Sequence, residues 1–193
     1  MQSPRRQDMI KRTLTAALTT AAITLGAAIA HAGNPMVGGA AMYPDKNIVE
    51  NAMNSKDHTT LVAAVKAAGL VETLQGTGPF TVFAPTNDAF AKLPAGTVEM
   101  LVKPENKDKL TKILACHVVG TKAFSSNLMK MVDDDGGMHT VPTLGGCNLV
   151  ASYKDGMIML KDENGTVATV TIADVAQSNG VIHVIDAVLL PKM

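Results

Sequence analysis

A few histidine and aspartate side chains are the residues of this chain that could bind a metal or act as a general acid or base. His117 and His183 interrupt apolar, strand-like runs, and either could act as a metal ligand or a general base. A histidine inside a sheet more often bonds to backbone groups, which favours a structural role for both. Asp186 follows His183 by three positions, and such residues point to opposite faces of a strand, so no acid–base dyad is predicted. We expect Asp186 to accept hydrogen bonds from loop amides instead.

The sequence contains only weak patterns for the binding of metals or cofactors. Asp133, Asp134 and Asp135 lack the alternating oxygen ligands and the distant glutamate of a calcium loop, so they predict a solvated turn. Methionine thioethers can bind Cu(I), but in a domain short of large aromatics most should fill the core. The sequence has no nucleophile elbow, phosphate-binding glycine loop or paired metal-binding histidines. We therefore predict no catalytic residue, no metal and no cofactor.

The first 32 residues are typical of a cleaved secretory signal peptide. Basic residues up to Arg12 precede an uncharged run over residues 14–30, and Ala30-His31-Ala32 provides a cleavage site. Cleavage would leave 193 − 32 = 161 residues, enough for one domain. Met9 is an alternative start, and an uncleaved anchor helix is the alternative to cleavage. No later apolar run reaches the ~20 residues of a membrane span, so we predict a secreted or periplasmic protein.

Composition argues against nucleic acid as a partner. Residues 1–32 hold four of the 17 basic and one of the 17 acidic residues, which leaves a net charge of 13 − 16 = −3. Every remaining basic residue is lysine, so the arginine forks that grip phosphates and guanine edges are missing. With no Trp, two Tyr and four Phe, the chain also offers few stacking platforms.

Helices precede strands along the chain. Apolar residues at helical spacing predict short helices within residues 45–132, with Asp57 and Ser126 as caps for two of them. From Met138 onward the apolar period changes to two, and glycine-containing turns separate the strands. This order predicts an α+β fold. Residues 33–41 are predicted to be a flexible tether, and residues 42–193 a single domain.

Residues 80–90 combine an inner strand, a proline stop and a helix start. Residues 80–84 are apolar on both faces, as an inner strand requires, and Pro85 ends the run. Thr86, Asn87 and Asp88 then supply short oxygen-bearing side chains that satisfy free amides at a helix start. We expect these three residues to hold the strand-to-helix turn rather than to catalyse a reaction.

Two segments together resemble a known family. Residues 81–90, TVFAPTNDAF, and residues 179–191, NGVIHVIDAVLLP, are similar to the two signature motifs of the fasciclin domain. Cys116-His117 stands where the family has a Tyr-His pair, and the resemblance covers about residues 41–191. It implies a wedge of two packed β-sheets with several short helices over one side. The positions that carry the structural motifs are Thr86, Asn87, Asp88, Asn179, Gly180, His183 and Asp186.

The resemblance implies adhesion or protein binding without enzymatic activity, with a protein or matrix component at the cell surface as partner. In animal members an Asp-Ile pair before the second motif is associated with integrin recognition, and Asp174 and Val175 match it here. With His117, these two are the candidate binding residues. The alternative is an envelope carrier of a small ligand or metal ion that uses His117, His139 or the methionines. A hydrolase is a third hypothesis.

Cys116 and Cys147 are the only cysteines. An oxidising compartment favours a disulfide between them, which would stabilise the domain by about 3 to 4 kcal/mol in the chain-entropy picture. Because Cys116 stands at the position of the family's tyrosine, the alternative is a small buried thiol in a shrunken core site.

Overall fold

The computed structural model describes residues 34–192, so the predicted signal peptide lies outside the described residues. The helices are α1 (Ile48–Asn54), α2 (Thr59–Ala68), α3 (Val71–Gln75), α4 (Asn87–Ala91), α5 (Thr97–Leu101), α6 (Lys107–Ala115) and α7 (Ser125–Asp134). The strands are β1 (Met36–Val37), β2 (Ala40–Ala41), β3 (Phe80–Pro85), β4 (Val118–Val119), β5 (His139–Pro142), β6 (Asn148–Lys154), β7 (Met157–Lys161), β8 (Val167–Gln177) and β9 (Gly180–Ile185). The predicted α+β class is confirmed.

Strand β8 joins the two halves of a seven-stranded sheet. The strand order is β4-β3-β9-β8-β7-β6-β5, while β1 and β2 form a separate small sheet. The register of β8 against β9 shifts twice, between Val170 and Ile172 and between Ile172 and Val175. Such irregularities bend a strand and increase its twist. The two predicted sheets correspond to the two halves on either side of β8.

Two apolar clusters fill the space around these halves. The first lies between helices α1 to α6 and one face of β3 and β9, where Val82 and Val184 contribute. The second joins the other face, through Phe83, to the inner face of β5 to β8 and to Leu128 of α7. Six helices thus cover one side of the sheet, as predicted, whereas α7 packs on the second cluster. Among residues 34–192, no helix is both long and apolar enough to cross a bilayer.

The two motif segments are direct neighbours in the sheet. β3 and β9 run parallel, in a register from Phe80 opposite Gly180 to Pro85 opposite Ile185. The side chains of β3 alternate between the two apolar clusters, which confirms the prediction of an inner strand. Gly180 allows the close approach, because a β-carbon there would overlap the carbonyl oxygen of Phe80.

The tether prediction is wrong for residues 36–41. These residues form the β1–β2 hairpin, in which Met36 pairs with Ala41 and Val37 with Ala40. Val37 is buried and joins the first apolar cluster together with Met42. The burial of these two side chains explains why the segment docks on the domain despite its small, glycine-rich composition.

Both predicted caps are also wrong. Asp57 lies in a 3-10 turn, Lys56–His58, and the amide of Thr60 in α2 donates instead to the side-chain oxygen of Asn87, at 3.0 Å. Helix α7 begins at Ser125, before Ser126. In both cases a side chain distant in sequence accepts the free helix amide, a role that local patterns assign to a residue next to the helix start.

Candidate functional site

Asp174 anchors the start of α7 to the sheet. It lies within the irregular part of β8 with a left-handed backbone, φ 61°, which aspartate tolerates better than most residues. Its carboxylate accepts hydrogen bonds from the amide of Ser125, at 2.6 Å, and from the Ser125 hydroxyl. A carboxylate at this point also interacts favourably with the positive end of the helix dipole.

His183 is fully buried and continues the same network. Its Nε2 donates to the carbonyl of Ala123 at 2.9 Å, and its Nδ1 accepts the amide of Asp174 at 3.3 Å. Burial lowers the pKa of His183 and outweighs the opposite effects of the bond to Ala123 and the charge of Asp174. Because backbone groups occupy both ring nitrogens, neither is free for a metal or a proton transfer.

Ser125, Asp174 and His183 are the residue types of a hydrolase triad, but their connections differ. In a triad the serine donates to the histidine, and the histidine donates to the carboxylate. Here the serine donates directly to the carboxylate, and the histidine bonds to backbone atoms. The arrangement activates no nucleophile. Sequence reasoning missed Ser125, because its partner Asp174 lies 49 positions away.

Val175, the second residue of the candidate binding pair, is 0% exposed. It belongs to the first apolar cluster and lines a cavity of about 10 Å³ with Val37 and Met42 of the N-terminal segment. Its side chain therefore gives a partner no surface in this conformation. Asp174 is half-buried, and only its exposed neighbours Thr171 and Ala173 extend this part of β8 to the surface.

His117, the third candidate, is buried between α6 and the C-terminal segment. Its Nδ1 donates to the carbonyl of Ile113 at 2.8 Å, and its Nε2 accepts the amide of Leu189 at 3.0 Å. Burial lowers its pKa to about 4. The apolar cavity beside it measures about 40 Å³, far below the roughly 300 Å³ at which small-molecule sites begin. The ring joins two segments and leaves no room for a carried ligand.

His58 is a buried histidine that sequence reasoning missed. Its Nδ1 bonds to the hydroxyl of Ser55 at 2.8 Å, while its Nε2 has no partner among the described residues. Burial lowers the pKa of His58, which keeps the ring neutral. The ring lines the same cavity as Val175, a space of about 10 Å³ that holds one water at most.

The polar residues of the first motif connect helices. The hydroxyl of Thr86 accepts the amide of Ala89 at 3.2 Å and so caps α4. Asn87 bridges to the start of α2, accepting from Thr60 and donating to the carbonyl of Lys56 at 2.8 Å. Asp88 is exposed in the first turn of α4, where its charge favours the helix terminus.

The polar residues of the second motif connect strands to the helical side. The side-chain oxygen of Asn179 accepts the amide of Ile48 at 3.1 Å, and its NH₂ group donates to the carbonyls of Leu74 and Gly76, each at 2.8 Å. Asp186 accepts the amide of Thr169 at 2.7 Å, which is a strand amide rather than the predicted loop amide. These bonds serve the fold, and the half-exposed Asp186 carboxylate also pairs with Nζ of Lys92 at 3.5 Å.

A disulfide joins Cys116 and Cys147, as predicted, with their Cα atoms 5.5 Å apart. Both residues are buried. The bond links the end of α6 to the start of β6, next to the hydrogen bond from the amide of Leu144 to the carbonyl of Val118, at 2.8 Å. It therefore helps to hold the two edge strands of the seven-stranded sheet, β4 and β5, near each other.

The aspartate triplet does not converge on one point. Asp133 accepts the hydroxyl of Tyr153, Asp134 pairs with Lys130, and Asp135 pairs with Nδ1 of His139, each at 2.6 Å. The bond to Asp133 raises the pKa of Tyr153. Within residues 34–192, no three side chains of histidine, cysteine, aspartate or glutamate come together as a metal centre.

Comparison with known proteins finds related sequences in bacteria and animals. The family model described as the Fasciclin domain matches residues 56–191. Protein sll1483 of Synechocystis sp. is 52% identical over 158 residues, which cover 82% of this chain and 81% of that protein. Immunogenic protein MPB70 of Mycobacterium bovis is 34% identical over 145 residues, which cover 72% of this chain and 66% of that protein.

The fold is also found among solved structures. One of them is a FAS1 domain pair from the insect cell adhesion molecule Fasciclin I, with a TM-score of 0.67 and 21% sequence identity. The match covers 76% of this chain and 51% of the solved chain, so the present chain spans about half the length of that structure.

Proposed function

The chain belongs to the fasciclin domain family, and from this membership we propose that it is an exported, non-catalytic module for adhesion or protein binding. Family members are adhesion-related proteins and are generally not enzymes. The partner in this proposal is a protein or a matrix component at the cell surface.

The proposal rests on the observation that the polar side chains of the two motifs form hydrogen bonds within the fold. Thr86 caps its own helix, and Asn87, Asn179 and His183 form hydrogen bonds, almost all of them to backbone groups, that join one element to another. Ser125, Asp174 and His183 likewise form hydrogen bonds that hold α7 and β9 to β8. A module built in this way acts through its outer surface rather than through an enclosed site.

We place the contact surface around Asp174. There the carboxylate fixes the α7 start against β8, so neighbouring exposed side chains have a rigid support. The Nζ atom of Lys122 lies 5.3 Å from the centre of the half-buried Phe124 ring. A cation beside an aromatic ring suits a partner that presents a carboxylate next to apolar surface. We define the Asp174 patch as Lys122, Phe124, Ser126, Ala173 and Asp174.

Surface variants test this assignment without disturbing the core. Ala173→Arg adds bulk to the patch and Lys122→Glu reverses its charge, whereas Lys154→Glu makes the same charge change at the exposed end of β6. Beads coated with the wild-type protein should attach to cells of the producing organism or their matrix. The two patch variants should reduce attachment, and Lys154→Glu should not. Attachment equal to that of beads coated with an unrelated protein would reject the binding function, while full attachment by Ala173→Arg would reject only the patch.

Export is tested by sequencing the N-terminus of the protein recovered outside the inner membrane. The signal-peptide pattern predicts a mature chain that begins at Gly33. Recovery in the cytoplasm with an intact N-terminus would contradict export. His117 gives no support to the carrier alternative, because both of its ring nitrogens are hydrogen-bonded to the backbone and the neighbouring cavity is too small for a ligand. That alternative therefore depends on His139 and the methionines alone.

A further inference from the structure

A groove of about 350 Å³ lies where the two edge strands of the seven-stranded sheet approach each other. Its walls come from β4, β5 and the segments that follow them, and part of its lining comes from α7. Most lining residues are apolar, such as Phe83 and Leu128. Two others carry atoms that bind soft metal ions: the thioether of Met131 and the imidazole of His139.

Asp135 orients the imidazole of His139 at the end of the helix that carries Met131. Met131 and Asp135 are one helical turn apart, and the amide of Asp135 donates to the carbonyl of Met131 at 3.1 Å. The Asp135 carboxylate in turn holds Nδ1 of His139 at 2.6 Å. Met131 and His139 thus line the same groove, and Asp135 holds the ring of His139.

The bond to Asp135 leaves Nε2 as the nitrogen that His139 can offer to a ligand. A carboxylate that holds one ring nitrogen of a metal-binding histidine orients the ring for its metal. Met131 is half-buried and packs against the second apolar cluster, which limits the motion of its thioether.

We propose that Met131 and His139 form a binding site for Cu(I), with the Met131 sulfur and His139 Nε2 as ligands. Thioether and imidazole suit Cu(I), whereas Ca²⁺ and Mg²⁺ require oxygen ligands. The only two cysteines of the chain form the disulfide, so no thiolate competes for the ion. The two proposed ligands are not residues of the Asp174 patch, and the existence of the copper site does not depend on the adhesion function.

Competition with a coloured Cu(I) chelator, under ascorbate and without oxygen, measures binding by the purified full-length protein. We expect one equivalent of Cu(I) per chain. Met131→Leu removes the sulfur at similar volume, and His139→Gln removes the imidazole; each should weaken binding at least about tenfold. Asp135→Asn keeps both ligands but changes the support of the ring, and should weaken binding less. Met157→Leu makes the same substitution at an exposed methionine that does not line the groove, and this control should bind like wild type.

X-ray absorption at the copper edge of the wild-type complex gives a second readout that needs no variant. The expected spectrum contains both sulfur and nitrogen neighbours. A copper ion surrounded by nitrogen and oxygen alone would overturn the proposal. So would failure to take Cu(I) from the chelator, or equal affinity in wild type and a folded Met131→Leu protein. Zn²⁺ binding that depends on Asp135 and His139 but not on Met131 would replace the thioether site with an imidazole–carboxylate site.

Discussion

Replacing Asn179 by alanine should test how much the second motif contributes to the fold. The side chain connects three separate segments, since it bonds to Ile48 at the start of α1, to Leu74 in α3 and to Gly76. The alanine variant leaves the β8–β9 turn without any of these bonds. The groups on Ile48 and Leu74 are buried, whereas the carbonyl of Gly76 is only partly buried.

The expected loss follows from these two buried groups. Leaving a buried donor or acceptor without a partner costs about 1–3 kcal/mol, so two of them predict a loss of about 2 to 6 kcal/mol. The free energy of unfolding of a typical domain is about 5–15 kcal/mol, so the variant should be close to unfolding under mild conditions.

Urea unfolding followed by far-UV circular dichroism measures this loss in a chain that has no Trp. Asn164→Ala is the matched control, because Asn164 also donates to two carbonyls, those of Leu190 and Pro191, but does so at the surface. We expect the control to lose about 1 kcal/mol or less, since water replaces the lost partner. Equal losses for the two variants would refute the structural role assigned to Asn179.

Three further predictions concern the disulfide, pH and the α7 start. Replacing both Cys116 and Cys147 by alanine should lower the unfolding free energy by about 3 to 4 kcal/mol, and two free thiols in the denatured, unreduced wild type would contradict the bond. Because the folded-state pKa of His117 is about 4 and its ordinary value is 6.5, only the unfolded chain takes up this proton between those pH values. This difference at His117 should remove about 3 kcal/mol of stability as pH drops from 6.5 to 4, so the fall should be smaller by about that amount in His117→Gln; equal pH dependence in the two would refute this. Asp174→Ala should cost about 1–2 kcal/mol by freeing the amide of Ser125, while Asp174→Asn should cost less because an amide oxygen can still accept that bond.

The fold class and the central strands were predictable because local patterns determine them. Residues 80–84 are apolar on both faces, and only a strand with neighbours on both sides buries them all. Similarly, alternation in β8 and turn residues before β9 placed the strands of the second half. The parallel pairing of β3 with β9 was not readable from periodicity, because it joins segments about a hundred positions apart.

The contacts that hold the site together were not predictable, because they cross long separations in sequence. Asn87 accepts the amide of Thr60 in the first turn of α2, 27 positions earlier, and Asp174 serves a helix start 49 positions away. Capping rules work on near neighbours, so they favoured Asp57 and Ser126. The burial of Val175 likewise depends on the N-terminal hairpin, whose composition indicated a tether.

Attachment by a strain that lacks this protein tests the central claim most directly. The comparison needs four strains: wild type, the deletion, and the deletion restored with either the wild-type protein or its Ala173→Arg variant, both exported in equal amounts. The adhesion function predicts that attachment falls in the deletion strain, returns with the wild-type protein and stays low with Ala173→Arg. Unchanged attachment in the deletion strain would contradict the claim that the protein acts as an adhesion module.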